Sequence, residues 1–207
     1  MLSGKTYSDT RLMSLFPSPV FLDTQIPDDR FGAVHYWDII ETPFGLMAAA
    51  CTATGLSILE FADNDEDAYQ KIWRRYSGIG KYHRQSHPLH ALVSAFLSGS
   101  PMPEKLPLSP FGTDFQHRVW QALIEIPAGE TMVYSGLAAK LGLPASSARA
   151  VGTAVAANPI ALIIPCHRIV QKGGATGEYR WGAERKRSLL LAERKPESSG
   201  LFAGQLF

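Results

Sequence analysis

The sequence predicts a mixed α/β (α+β) chain of two units, a strand-rich one followed by a mainly helical one. Three observations carry this. Between Ala33 and Phe61 three short apolar runs alternate with turn residues. From Thr113 onward the apolar residues recur mostly at helical spacing. A Pro-rich stretch, "GSPMPEKLPLSP", divides the two patterns. The expected boundaries are an irregular N-terminal arm over residues 1–30, a first unit over 31–100, a linker over 101–110, a second unit over 111–195 and a tail over 196–207.

In the first unit, "AVHYWDII", "LMAAACTA" and "LSILEF" predict an antiparallel meander, because "TPFG" and "TG" between them are turn signals. "DEDAYQKIWRRY" predicts a helix with Tyr69, Ile72, Trp73 and Tyr76 on one face, and its acidic start suits the positive end of the helix dipole. "PLHALVSAFLSG" predicts a second helix that stops at Gly99. His83, His87 and His90 precede or open it and are read as surface histidines, since no cysteine accompanies them. Cys51 lies within an apolar strand and is read as core.

In the second unit, "TDFQ" reads as a capping box opening a helix that buries Phe115, Val119, Trp120 and Leu123. "YSGLAAKLG" and "ARAVGTAVAAN" predict two short helices across a tight turn, a helix-turn-helix-like pair. The second is rich in Ala and Gly, and Gly152 is costly inside a helix unless something must approach closely. "IALII" is expected as a buried strand, followed by Pro165-Cys166-His167-Arg168, a Gly-rich loop and a helix over "AERKRSLLLAERK".

The 207 residues are 45% hydrophobic and 19% charged, enough to fill a sizeable core. A formal net charge of +1 does not by itself point to nucleic acid or membrane. Its distribution is uneven: eight Lys/Arg against three Glu between Pro165 and Lys195, but five acids and no base in "SILEFADNDED". Two cysteines exclude a disulfide framework or a cysteine-rich zinc site. With no apolar leader and no run of membrane-spanning length, the expectation is a cytoplasmic protein with no membrane partner.

The chemistry concentrates at Cys166. A thiol attacks as thiolate, and a neighbouring base or positive field raises that fraction. His167 and Arg168 can supply both. Adjacent side chains on an extended chain point to opposite faces, so the pair does not by itself make a cysteine hydrolase, and spacing alone leaves the reaction open.

"IPCHRIV", with "GTDFQHRVWQALIEIPAGETMVYSGLAAKLG" upstream and "GEYRWGAERKRSLLLAE" downstream, closely resembles the O6-alkylguanine-DNA alkyltransferases, most strongly the catalytic region of the bacterial adaptive-response type. The resemblance implies a ribonuclease-H-like first domain and a winged-helix-like second domain with a helix-turn-helix. It also implies a single-turnover activity: irreversible transfer of an alkyl group from O6-alkylguanine, and from O4-methylthymine, to Cys166. It gives His167 and Glu193 the task of activating the cysteine through a water. Tyr134 would swing out the nucleotide and protonate the leaving base, and Arg149 would fill the gap in the base stack. Ala148, Gly152 and Arg168 join the DNA-binding set, Asn158 ties helix to active-site segment, Tyr179 lines the base pocket, and Ile169 stands at its floor or edge or has a structural place. Neither metal nor cofactor is implied. The implied partner is duplex DNA carrying the lesion, read through the minor groove by a monomer. The tail sequence "QLF" resembles motifs that bind the bacterial sliding clamp.

The chain departs from the family pattern at three places. "GLPASSARAVG" has one extra residue between Pro144 and Arg149, Glu178 stands where Gly or Asn is usual, and Val133 replaces a serine. With Cys51 the one cysteine upstream, the adaptive-response zinc site and phosphotriester repair are not expected. The rival reading is a sensor that binds a flipped O6-alkylguanine without reacting.

Overall fold

A computed structural model of the chain describes residues 33–101 and 106–193. The N-terminal arm, part of the linker and the tail with its clamp-like motif lie outside the described residues.

The meander forms as expected: β1 (Val34–Thr42), β2 (Gly45–Thr52) and β3 (Gly55–Phe61) pair antiparallel. Thr42 and Thr52 brace the two tight turns, each hydroxyl donating to the carbonyl of the glycine that resumes the next strand. Then α1 (Asp65–Tyr76) crosses over, and β4 (Lys81–Arg84) returns parallel to β1, giving the sheet order β3-β2-β1-β4. The sequence reading missed β4, which is four residues long and mostly exposed. Helix α2 (Pro88–Leu97) closes the unit.

The period-2 alternation of β2 divides the interior. Met47, Ala49 and Cys51 face one core, while Ala48 and Ala50 face the other, under α1. Ala68, Ile72 and Tyr76 form the buried stripe of α1. Tyr69 and Trp73, expected on that stripe, are 43% and 53% exposed and stack on each other at 6.2 Å. The i, i+4, i+8 row wins because its small first member lets the helix sit close on the sheet. His90 is also corrected: it is buried, and its Nδ1 accepts from the His87 backbone in a reciprocal cap at the start of α2.

The second unit has α3 (Asp114–Ile124), a two-residue β5 (Met132–Val133), α4 (Tyr134–Lys140), α5 (Ala148–Ala156), a two-residue β6 (Ile169–Val170) parallel to β5, and α6 (Ala183–Ala192). The capping box is present: Gln116 N–H donates to Thr113 Oγ1, and Thr113 N–H donates to Gln116 Oε1. Within "PASSAR" a 3-10 turn, Ala145–Ser147, leads into α5.

The expected "IALII" strand does not form. Ile160 makes a single bridge to Leu59, and the chain then turns through Leu162 in the left-handed region, φ 67°. All five residues are buried, which is why their sequence imitates a central strand. Here burial comes from packing between the β-sheet, α3 and α5 in one continuous core that joins both units.

Two buried histidines make the fold acid-sensitive. His35, hydrogen-bonded to Ser57 at 2.9 Å, is pushed down to about 4 by burial, and burial also lowers His90. The unfolded chain takes up protons near pH ~6.5 that native His35 refuses until about 4, so stability falls as pH drops through that window. Urea unfolding at a series of pH values is expected to show a loss on the order of 2–3 kcal/mol across it, with a flatter slope for His35→Gln.

Candidate active site

Cys166 opens a short 3-10 turn, Cys166–Arg168, placed between the buried 160–164 loop and β6. Asn158 shapes the approach. Its backbone N–H and carbonyl stand at the end of α5, and its fully buried amide folds the next residues around itself. Asn158 Nδ2 donates to Ile160 O (3.2 Å), Ile164 O (2.9 Å) and Cys166 Sγ (3.2 Å), while Oδ1 accepts from Ile160 N–H (2.9 Å). One side chain thus fixes the loop and holds a donor on the thiol.

The two residues that follow Cys166 enter a buried ionic triad with Glu193. His167 Nε2 is 2.8 Å from Glu193 Oε1, and Arg168 meets the same carboxylate through Nε (2.9 Å) and Nη2 (2.8 Å). Arg168 Nη1 also donates to Ile126 O at 2.5 Å. Burial alone would push the Glu193 carboxyl up; the hydrogen bonds and charges of His167 and Arg168 outweigh it and hold it at about 2. With Glu193 ionised, the His167 Nε2 nitrogen carries the hydrogen it donates, which leaves Nδ1 as the basic nitrogen. Gly129 is needed beside this group. Its φ is +81°, and a Cβ there would stand 2.7 Å from the Glu193 carbonyl oxygen.

On its other side Cys166 opens into a cavity of about 620 Å3. Tyr134, Gly152 and Arg149 line it from α4 and α5, Glu178 to Trp181 from the loop before α6, Lys186 from α6 and Arg75 from α1. Burial pushes the thiol up, so the resting group is protonated; the Asn158 donor, the charges of Arg180 and Lys186 and the Tyr179 hydroxyl all pull the other way. The Tyr179 hydroxyl is buried beside the thiol, and burial raises it well above the ordinary tyrosine range. Cys51 lacks such neighbours and burial takes it to about 12.

Of the residues expected from the sequence, Cys166, Tyr134, Arg149, Gly152 and Tyr179 meet around this cavity, Asn158 holds the sulfur, and His167 and Glu193 pair with each other. Ala148 starts α5, half-buried, outside the lining. One expectation is corrected. Arg168 is not available to DNA: it is 4% exposed and committed to Glu193 and Ile126. Ile169 takes the structural alternative: it is fully buried in the β5–β6 pair, outside the cavity lining. Reading the sequence missed Glu60, Arg75, Arg180, Trp181 and Lys186. A single charge inside the apolar "SILEF" was the available signal for Glu60.

Residues 114–195 match the family described as 6-O-methylguanine DNA methyltransferase, DNA binding domain. The methylated-DNA–protein-cysteine methyltransferase of Mycobacterium bovis is 45% identical over 171 residues, covering 82% of this chain and 99% of the relative. The regulatory protein ada of Salmonella typhimurium is 52% identical over 92 residues, which span 44% of this chain and 26% of that protein. Among solved structures, Mycobacterium tuberculosis OGT in complex with DNA is similar with a TM-score of 0.60 and 33% identity, over 78% of this chain and 92% of that one.

Glu193→Ala removes a carboxylate that makes two hydrogen bonds to a buried guanidinium. The expected cost is about 3–5 kcal/mol in urea unfolding at neutral pH. Because the carboxyl is held at about 2, the unfolded chain protonates before the native carboxylate does, and the difference from wild type is expected to shrink as pH falls from about 4.5 to about 2.

Proposed function

The chain belongs to the methylated-DNA–protein-cysteine methyltransferase family, and we propose that it repairs O6-alkylguanine in DNA by moving the alkyl group onto Cys166. The observation that carries this is a buried thiol that opens on a cavity lined by Tyr134, Arg149 and Tyr179 and is followed in its own turn by an imidazole bonded to a buried carboxylate.

The target oxygen sits inside a duplex, so the nucleotide must leave the stack to reach the thiol. In this reading the α4–α5 pair is the helix-turn-helix of a winged-helix-like domain, and the first unit is its ribonuclease-H-like companion. α5 enters the minor groove as part of a monomer. Arg149, exposed at its start and lining the cavity, takes the vacated place in the stack. Gly152 faces both the groove and Tyr134. The cavity volume falls in the range of about 300–1,000 Å3 typical of small-molecule sites.

The reaction is a direct displacement. The thiol proton passes to His167 Nδ1 through water, and Glu193 stabilises the imidazolium that results. The Asn158 amide, the Tyr179 hydroxyl and the nearby cations stabilise the thiolate while burial excludes bulk water. Sulfur then bonds to the alkyl carbon as the carbon–O6 bond breaks. The base keeps that electron pair and takes up one proton with help from Tyr134, matching the proton the thiol lost. The thioether has no leaving group to restore the thiol, so each molecule acts once. Burial gives a second benefit: without a base in the cavity the sulfur stays a poor nucleophile toward free alkylating agents.

The sensor reading is not favoured, because Cys166 is present and held at the cavity wall. Mass spectrometry after incubation with an O6-methylguanine duplex is expected to find one methyl group on the Cys166 peptide and none on the Cys51 peptide. Cys166→Ala should abolish it; transfer persisting in that variant would refute the mechanism.

A second test separates fold from DNA contact. A Cβ at Gly152 would rest 3.5 Å from the Tyr134 ring, an ordinary contact. Gly152→Ala is therefore expected to stabilise the free protein by about 0.5–1 kcal/mol in thermal unfolding. If α5 enters the groove as proposed, the same variant binds duplex DNA more weakly in a titration.

A further inference from the structure

The C-terminal end of α5 is held by Arg75 and Arg180, and both lean on Glu60, which the proposed reaction does not use. Glu60 is 3% exposed in β3, and a carboxylate buried there needs partners. It accepts from the Tyr76 hydroxyl at 2.6 Å and from Arg180 Nη1 at 2.9 Å, with Arg75 Nε at 3.9 Å. The two arginines then reach across to the last carbonyls of the helix. Arg75 Nη2 donates to Ala157 O at 3.2 Å, and Arg180 Nη2 donates to Asn158 O. Cations at the end of a helix suit its dipole, and these two also close carbonyls that the helix leaves open.

Asn158 is therefore gripped twice, by Arg180 at its carbonyl and by its own amide on Cys166 Sγ. The neighbouring residue of β3 secures the same segment through its backbone. Leu59 N–H donates to Pro159 O at 2.9 Å, and Ala161 N–H donates to Leu59 O at 2.7 Å. Arg180 also lines the cavity and lies over the Trp181 ring at 4.5 Å, so its guanidinium is boxed in rather than free to sweep through solvent.

We propose that Glu60 and Arg180 act as one positioning unit: the carboxylate of the first unit fixes the guanidinium, which fixes Asn158 and presents positive charge to the Cys166 sulfur. Neither residue touches the alkyl group; both act through Asn158 and the field at the thiol. The inference rests on Cys166 being the alkyl acceptor.

The test compares wild type, Glu60→Gln, Arg180→Gln and the double variant in two assays. One is single-turnover methyl transfer from an O6-methylguanine duplex. The other is the pH profile of Cys166 alkylation by iodoacetamide, which needs no DNA. Each single variant is expected to slow transfer about tenfold at saturating duplex. The double variant is expected to be no slower than Arg180→Gln alone, because residues acting as a unit are not additive. Both single variants should move the iodoacetamide midpoint to higher pH. Buried Glu60 has no part in the DNA surface, so Glu60→Gln should bind undamaged duplex within about twofold of wild type.

An unmoved transfer rate in Glu60→Gln, or losses that multiply in the double variant, would overturn the proposal. So would a lowered thermal midpoint with an unmoved iodoacetamide profile, which is the signature of packing alone. If wild type transfers no methyl while the midpoints shift as expected, the functional reading fails and the positioning unit stands.

Discussion

Much of the second unit depends on keeping one carboxylate ionised out of water. Glu193 is 1% exposed, and a charge so buried is strongly unfavourable unless it is met by charge and hydrogen bonds together. Arg168 answers with two bonds and His167 with a third. The consequence is architectural. The end of α6, the Cys166–Arg168 turn and the loop after α3 cannot move independently, because Arg168 spans from Glu193 to the Ile126 carbonyl and Gly129 leaves room for the Glu193 backbone. The same bonds fix which imidazole nitrogen is basic. Stability and chemistry therefore rest on one group.

This arrangement resolves a tension at the thiol. A cysteine that is to react once, and only with the correct base, must not be a standing thiolate. Burial keeps it protonated, as it does Cys51. The two sulfurs differ in what surrounds them. Cys51 meets apolar strand neighbours in a continuous core, whereas Cys166 has an amide donor at 3.2 Å and opens to a cavity with cations on its wall. Burial disfavours the thiolate at rest, yet the groups that favour the charged form are already in place, so little reorganisation is left for the reacting state.

Local signals were read well from the sequence and through-space ones poorly. The meander, the capping box at Thr113 and the boundaries of α1 follow from turn residues, caps and periodicity, all properties of neighbouring residues. The motif around Cys166 singled out the thiol, the imidazole and Glu193, and the structure bonds the last two to each other at 2.8 Å. Arg168 was misassigned because an arginine in a basic stretch reads as a surface group; only the fold brings Glu193 to it. "IALII" misled for a related reason, since total burial erases the period that tells strand from loop. Glu60 and Arg180 lie far apart in sequence and neither has a periodic signature, so their pairing could not be read before the chain was folded.

That pairing alters the view of the first unit. Were it only a support for the second, apolar contact along the sheet would suffice. Instead β3 offers its edge to two separate segments. Leu56 bridges to Leu108 within the linker, and Leu59 bridges to Ile160 beside the active-site loop. Directly next to the second bridge the strand carries a buried carboxylate whose partners come from α1 and from the loop before α6. Hydrophobic packing is tolerant of small sliding, but a buried carboxylate held by a hydroxyl and a guanidinium N–H is not. Placing such a group at the seam sets the register between the units to hydrogen-bond precision, and that register decides where Asn158 holds its amide against the sulfur.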